Sequence, residues 1–443
     1  MRNLYLLLAL CLGLSFTAQA QDSPEDEKSS LEMKLQIRPR AEYRDGVLGL
    51  LPKDADPAFF INNRARLSIY FTDKSGRLKL GLSGQNVGVY GATPQIESQG
   101  TVMFNEAWAE IKASEVVSFR IGRQMVSYDD QRILGGLDWQ VSGRWHDLLL
   151  TKFDLNTFKA HIGLAYSQNS EKKFDPVFLP GGQPYKTMQY LWFENAFTEN
   201  LKLSVLAINL GYQKLDANNA ADGINYEQTL GANIDYKIGA FSIYGTYYHQ
   251  LGDNGASREV DAFLAALKIG FKPEGSAFNF AVGADLVSGN DAVVDNNGSV
   301  TFDGNGKNNA FDPLYGTHHK FYGLMDYFYV GNHLGNVGLF DKYLQVNWKA
   351  NSRLGFGLGG HVFHAAADIK DGNGGDLNKY LGTEVDLTFK YAVMKYVTLM
   401  GGYSQMIADD SMEYLYPQGD SSDVQNWGWL SININPVIFK GKF

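Results

Sequence analysis

Apolar and polar residues alternate along most of this chain with a period of two. In segment 34–44, Leu35, Ile37, Pro39, Ala41 and Tyr43 fall on one face and Gln36, Arg38, Arg40, Glu42 and Arg44 on the other. A strand sends successive side chains to opposite faces, so this is the pattern of a strand with one apolar and one polar surface. Segment 60–72 repeats it, Ile61, Ala65, Leu67, Ile69 and Phe71 opposing Arg64, Arg66, Ser68, Tyr70 and Thr72. In segment 381–391, Leu381, Thr383, Val385, Leu387, Phe389 and Tyr391 oppose Glu384, Asp386, Thr388 and Lys390. Segment 201–211 differs, because Leu206, Ile208 and Leu210 make its second face partly apolar too. Repeated segments of about ten residues, apolar toward lipid and polar toward a lumen, predict a transmembrane β-barrel.

Read this way, strands are expected at 33–44, 59–73, 76–90, 102–113, 116–126, 139–151, 156–167, 187–197 and 200–213. They continue at 226–237, 240–250, 258–271, 276–288, 339–350, 353–366, 379–391, 396–407 and 424–434. Short connections such as 73–76, 197–200, 350–353 and 392–395 alternate with longer polar ones, as periplasmic turns and outer loops do. The expectation is an all-β chain folded as a single antiparallel outer-membrane barrel of about 18 strands. An even count returns both termini to the side of the short turns. A β-sandwich or propeller would also use many strands and glycines, but neither needs an apolar outward face on nearly every segment.

Composition narrows this further. No apolar run approaches the ~20 residues of a membrane-spanning helix. Lys and Arg total 39 against 48 Asp and Glu, a formal charge of -9, which does not suit a nucleic-acid binder. Residues 1–20 read as a secretory signal peptide: Arg2, an apolar stretch from Leu4 to Phe16, and Ala18-Gln19-Ala20 at the cleavage point. Cys11, the single cysteine, lies inside it, so the mature chain has no disulfide to draw on. Residues 21–32 read as a periplasmic leader and 33–443 as the barrel, placed in the outer membrane with its lipid and lipopolysaccharide. The chain ends on Phe443 after an alternating strand, a feature of barrels handed to the barrel assembly machinery.

Chemistry concentrates at one end. Among the arginines of the mature chain, only Arg258 and Arg353 lie beyond residue 144. Arg38, Arg40, Arg64, Arg66, Arg77 and Arg120 fall on the polar register, joined by Lys34 and Lys79. Guanidinium groups bind carboxylates in bidentate fashion, so a wall of them suits an anionic solute in transit. The alternative is that they pair with Glu42, Glu106, Glu110 and Asp129 and stiffen the wall. Arg123 breaks register with Val117, Phe119 and Ile121, and a bulge at Gly122 would turn it inward. Tyr43, Tyr70, Tyr90, Trp108, Tyr247, Trp348 and Tyr391, near strand ends, fit interfacial girdles.

Residues 122–147 (GRQMVSYDDQRILGGLDWQVSGRWHD) and 311–328 (FDPLYGTHHKFYGLMDYF) resemble signature stretches of the alginate export family, outer-membrane barrels that let a polyuronate leave the cell. The resemblance implies an eighteen-stranded barrel with a basic constriction gated by loops. It implies that Arg123, Arg132 and Arg144 belong to that constriction, with Asp129, Asp130 and Asp138 as counter-charges. The expected cargo is an anionic, uronate-type saccharide moving by passive diffusion. The chain departs from a strongly basic pore beyond residue 144, which is compatible with a general porin for small polar solutes.

The second stretch sits in the long connection 289–338, which is functional or disordered when it occurs in a compact fold. Its aromatics favour a segment that folds back to narrow the pore, with His318, His319, Lys320 and Asp326 near the solute path. A hairpin or short helix packed on the rim is the competing expectation. No enzyme motif is present, and the Asp-rich turns at 295–309 and 371–376 lack the Glu of a calcium loop. No cofactor or metal is expected. An outer-membrane hydrolase or adhesin, with His318 near Asp312 or Asp326, is the reading from a different class.

Overall fold

The computed structural model describes residues 28–96, 100–174, 176–179, 184–218, 220–295, 298–303, 306–328 and 336–443. The signal peptide and most of the leader therefore lie outside the described residues. In chain order the strands are β1 Ser30–Asp45, β2 Ala58–Thr72, β3 Leu78–Val89, β4 Met103–Lys112, β5 Val117–Gln124 and β6 His146–Asp154. Next come β7 Phe158–Tyr166, β8 Thr187–Ala196, β9 Leu201–Leu215, β10 Ala221–Ile238, β11 Phe241–Asp253, β12 Glu259–Phe271 and β13 Phe278–Val287. The short β14 Asp291–Val294 and β15 Val300–Asp303 precede β16 Leu339–Lys349 and β17 Leu354–His364. The chain closes with β18 Ile369–Asp371, β19 Tyr380–Met394, β20 Val397–Ala408, β21 Gln425–Ile434 and β22 Val437–Lys442.

Each barrel strand pairs antiparallel with the next, and β1 pairs with β2 on one side and with β21 and β22 on the other. The sheet closes on itself and leaves no edge, so its backbone groups pair between strands even where lipid surrounds it. Strands β21 and β22 are two halves of one rung. Pro436 has no N–H to give and interrupts the ladder, while its carbonyl still accepts from Leu35 at 3.1 Å. The result is an all-β, 18-strand closed barrel. A separate sheet of β15, β14 and β18 ties two of the long loops together.

Outward positions are apolar through the middle of the wall, as at Leu80, Ile121, Leu267, Leu344 and Leu387, all exposed. Aromatic rings stack toward the short-turn rim, Phe278 on Trp348 at 5.9 Å and Trp348 on Phe356 at 5.4 Å. On the long-loop side the apolar face gives way to an outward amide row, in which Gln228 donates to Asn209 and Asn209 to Gln189, each at 2.7 Å. Of the aromatics expected in girdles, Tyr70 and Trp108 instead turn inward, both donating to Glu106. They share the register of Arg66 and Glu110, which the period-two pattern already assigned to the lumen.

Three local departures have physical causes. The sixth strand was expected over 139–151 but opens at His146, because carbonyls 138–142 are bound by side chains of the wall rather than by a neighbouring strand. Strand β1 opens at Ser30, inside the stretch read as leader. In β19, Gly382 has φ 140° at a register irregularity, which swings Leu381 inward and fully buries it instead of leaving it on the lipid face. The second apolar face of segment 201–211 is also explained. Leu206, Ile208 and Leu210 point into the barrel and are buried with Leu134, Tyr315 and Tyr185 in one apolar cluster.

Candidate functional site

The lumen is narrowed by two loops that fold into it, residues 125–145 and 311–328. They pair with each other: Tyr315 donates to Ile133 O at 3.0 Å, Gly135 to Tyr315 O at 2.9 Å and Thr317 to Gln131 O at 2.7 Å. Arg144 adds a side-chain bond to Gly316 O at 2.6 Å. Trp139 stacks on His319 with ring centroids 4.2 Å apart and meets Trp427 and Trp429 edge-on. Non-glycine residues with left-handed backbone cluster in these loops, at Asp129, Gln131, Leu137, Leu314, Tyr322 and Asp326. Each such residue costs about 1 kcal/mol or more, so the surrounding contacts must hold the loops in place.

One wall of the constriction is basic. Arg38 and Arg64 are direct cross-strand partners on β1 and β2, beside Gln36–Arg66 and Arg40–Asn62. Like charges placed opposite each other destabilise a sheet unless something neutralises them. Asp138 of the first loop does so, with Arg64 at 2.8 Å, Arg38 at 3.3 Å and Arg66 at 4.0 Å. Arg38 also donates to the carbonyls of Asp138, Trp139 and Gln140, Arg40 to that of Trp139, and Arg64 to that of Val141. The Arg40 guanidinium lies 3.8 Å over the Trp139 ring and pairs with buried Glu42. Arg38, Arg40 and Arg64 are buried, Arg64 completely, whereas the Asp138 side chain keeps 66% of its surface exposed.

A second stretch of wall, three to six strands from β1 around the barrel, is acidic, and period-two reading did not single it out as a site. Asp285 on β13 and Asp341 on β16 are cross-strand partners, and Glu384 and Asp386 follow on β19. His361 on β17 sits between them, 2.9 Å from Asp341 and 3.9 Å from Asp386. Arg132 of the first loop reaches Asp285, pairs with Asp130 at 3.1 Å and is buried, its side chain 4% exposed. Met325 of the second loop donates its N–H to Glu384 at 2.8 Å. The inward placement of Glu384 and Asp386 was legible from their alternation. Their grouping with Asp285, Asp341 and His361 depended on strand order.

The remaining expected residues scatter. Arg120 pairs with Glu110 at 2.7 Å over the Trp108 ring, and Lys152 shares the same carboxylate. Lys79 is the cross-strand partner of Glu110, and Glu106 accepts from Ser83, Tyr70 and Trp108. Arg77 is exposed in the turn before β3, bound to Lys112 O at 3.2 Å, away from the constriction. Arg123 corrects the expectation of an inward turn. Register between β4 and β5 runs unbroken through Gly122, so Arg123 stays on the outward face with Phe119 and Ile121 and pairs with Asp147 at 2.8 Å near the long-loop rim. Asp129 bonds no arginine: its carboxylate accepts from Trp192 at 3.2 Å and Ser204 at 2.5 Å, and burial lifts its pKa to about 6.

In the second loop, His318–Lys320 forms a short 3₁₀ turn. His319, not His318, faces Asp326, at 2.9 Å, while His318 is buried. Lys320 donates to Asp130 O at 2.9 Å, and burial pulls its pKa down. Beneath this turn, toward the short turns, a cavity of about 720 Å³ opens between His319, Leu324, Trp429 and the inward faces of β16, β17 and β19. A smaller one of about 160 Å³ adjoins it beside His361 and Asp386. Among the described residues, no group of His, Cys, Asp and Glu is placed to hold a metal ion.

No family model matches the chain, and no curated protein matches it. Solved structures do match. OccK3 (OpdO) of Pseudomonas aeruginosa superposes with TM-score 0.60 at 12% identity, covering 92% of this chain and 96% of that one. OccAB4 of Acinetobacter baumannii gives 0.59 at 13%, covering 94% and 100%. The outer membrane protein OpdK of Pseudomonas aeruginosa gives 0.56 at 11%, covering 91% and 99%. At these identities the likeness is one of fold, and over nearly its whole length this chain has the barrel fold of those outer-membrane proteins.

Proposed function

We propose that this protein is an outer-membrane channel through which small anionic solutes diffuse, uronate-type saccharides being the leading cargo. The observation that carries the reading is a lumen narrowed by two loops and lined toward its short-turn end by lysines without an acid partner. Lys79, Lys272, Lys349 and Lys390 have no acid within ion-pair distance among the described residues. A solute carboxylate entering such a lumen loses hydration and regains charge-assisted contacts, which lowers its barrier relative to a cation. No catalytic step is part of this reading. The fold shared with outer-membrane proteins supports the location, and the resemblance of segments 122–147 and 311–328 to alginate exporters supports the cargo.

One observation favours a second reading, a porin without marked charge preference. Arg38, Arg40 and Arg64 are occupied by loop carbonyls and by Asp138 and Glu42, and Asp285, Asp341, Glu384 and Asp386 line the lumen wall a few strands away. Reversal potential of single channels in a salt gradient, with oligouronate titration, separates the two. Anion preference with saturable uronate block is the expected result. A cation-preferring or indifferent channel that ignores uronates would overturn the anionic reading and leave the porin.

A further inference from the structure

The inward face of β17 is floored with glycine. Gly355, Gly357 and Gly359 alternate with outward Phe356 and Leu358. None of the three has a left-handed φ, so backbone conformation does not require glycine there, and the missing side chains leave the floor low. Register sets a polar side chain on each flank of each glycine. Lys349 on β16 and Lys390 on β19 flank Gly355, Asn347 and Thr388 flank Gly357, and Gln345 and Asp386 flank Gly359. A Cβ on Gly357 would come within 2.7 Å of the Thr388 hydroxyl and 3.4 Å of the Asn347 carbonyl oxygen. The two adjoining cavities lie along this floor and share Asn347, Gly357 and Thr388, with Leu324 of the second loop as their common roof.

We propose that this groove is a solute-binding site for an elongated hydroxylated carboxylate, held with its carboxylate at Lys349 and Lys390 and its hydroxyls along Asn347, Thr388 and Asp386. The flat glycine floor admits a ring close to the backbone, and the flanking amide, hydroxyl and carboxylate supply the alternating donors and acceptors that hydroxyls need. The polarity follows from the row order: two unpaired ammonium groups at the short-turn end, an acid backed by His361 at the other. The arginine wall is therefore a structural clamp on the first loop, and the solute is held a few strands away on β16, β17 and β19. This inference rests on the anionic-channel reading and adds a site to it.

The test uses the full barrel in planar bilayers, digalacturonate as probe, and a neutral disaccharide of the same size as control. In the parent protein, digalacturonate should block current saturably and the neutral sugar should not. Lys349→Gln with Lys390→Gln should weaken block by roughly tenfold, the loss of two partly solvated ion contacts. Gly355→Val with Gly357→Val, favourable to a strand, should weaken block by at least as much while leaving open-state ion preference in plain salt anionic. Block unchanged by the glycine pair, or equal block by the neutral sugar, would overturn the groove. A channel that is anion-selective yet behaves so would leave the proposed function standing, whereas a cation-selective parent would remove both. Should the valine pair not assemble, Gly357→Ala alone carries the same prediction at smaller size.

Discussion

Asp138→Asn is the sharpest perturbation of the constriction. The carboxylate stands against three guanidinium groups, closest to Arg64 at 2.8 Å and Arg38 at 3.3 Å, and those two arginines face each other across the β1–β2 ladder. Hydrogen bonds between charged groups contribute about 1.5–3 kcal/mol each in mutational series, and the Asp138 side chain is 66% exposed, so the low end applies. A loss of about 1.5–2 kcal/mol corresponds to a roughly 10- to 30-fold rise in the fraction of time the first loop is displaced. The backbone carbonyls of residues 138–142 remain bound to Arg38, Arg40, Arg64, Gln85 and Asn105, so the barrel itself should assemble. Removing one negative charge beside three positive ones should also raise anion preference. Both effects are read in one bilayer experiment, as the frequency of conductance transitions and the reversal potential in a salt gradient. Unaltered transition frequency would refute the clamp, and a shift of reversal potential toward cations would refute the sign assigned to this wall.

Trp139→Ala should cost about 3–5 kcal/mol of loop packing, since the ring stacks on His319 and carries Arg40 on its face, and should enlarge the open-channel conductance. Gly382→Ala should reduce the yield of folded, heat-modifiable barrel in gel-shift assays, because at φ 140° the added Cβ would lie 2.5 Å from Ile407 O; full yield would show that the irregularity at Leu381 is not required. Asp129 sits in the first loop with its pKa lifted to about 6, so its folded form takes up a proton that the unfolded chain releases near pH 4. The stability this contributes is complete below pH 4 and is lost as pH rises through about 6. Thermal unfolding in detergent should therefore show Asp129→Asn gaining on the parent as pH rises from 4 to 7, and parallel pH profiles would sink the assignment.

The barrel was legible in the sequence because lipid and water impose period two on every crossing strand, and the chain shows it from Leu35 to Ile434. The same periodicity put Arg38, Arg64 and Arg66 on the inward face, while the two loop segments stood out by family resemblance and, for the second, by the length of its connection. It failed where a local backbone feature overrode it: at Gly382, which sends Leu381 inward, and at residues 139–145, where apolar residues lie among carbonyls held by arginines. Arg123 was misread for the opposite reason, since an expected bulge at Gly122 did not form.

Tertiary structure alone decided what the inward charges do. Asp138 meets Arg38, Arg64 and Arg66 across about a hundred positions or fewer of chain, and Arg132 meets Asp285 across 153. Nothing in either neighbourhood names its partner, because in a closed barrel the lumen brings every strand within reach of a loop folded into it. The groove on β17 is of the same kind. Its glycines are visible in the sequence as a period-two run, but only the pairing of β16, β17 and β19 places Lys349 and Lys390 on either side of one of them. Alternation fixes which way a side chain faces, and register fixes whom it faces.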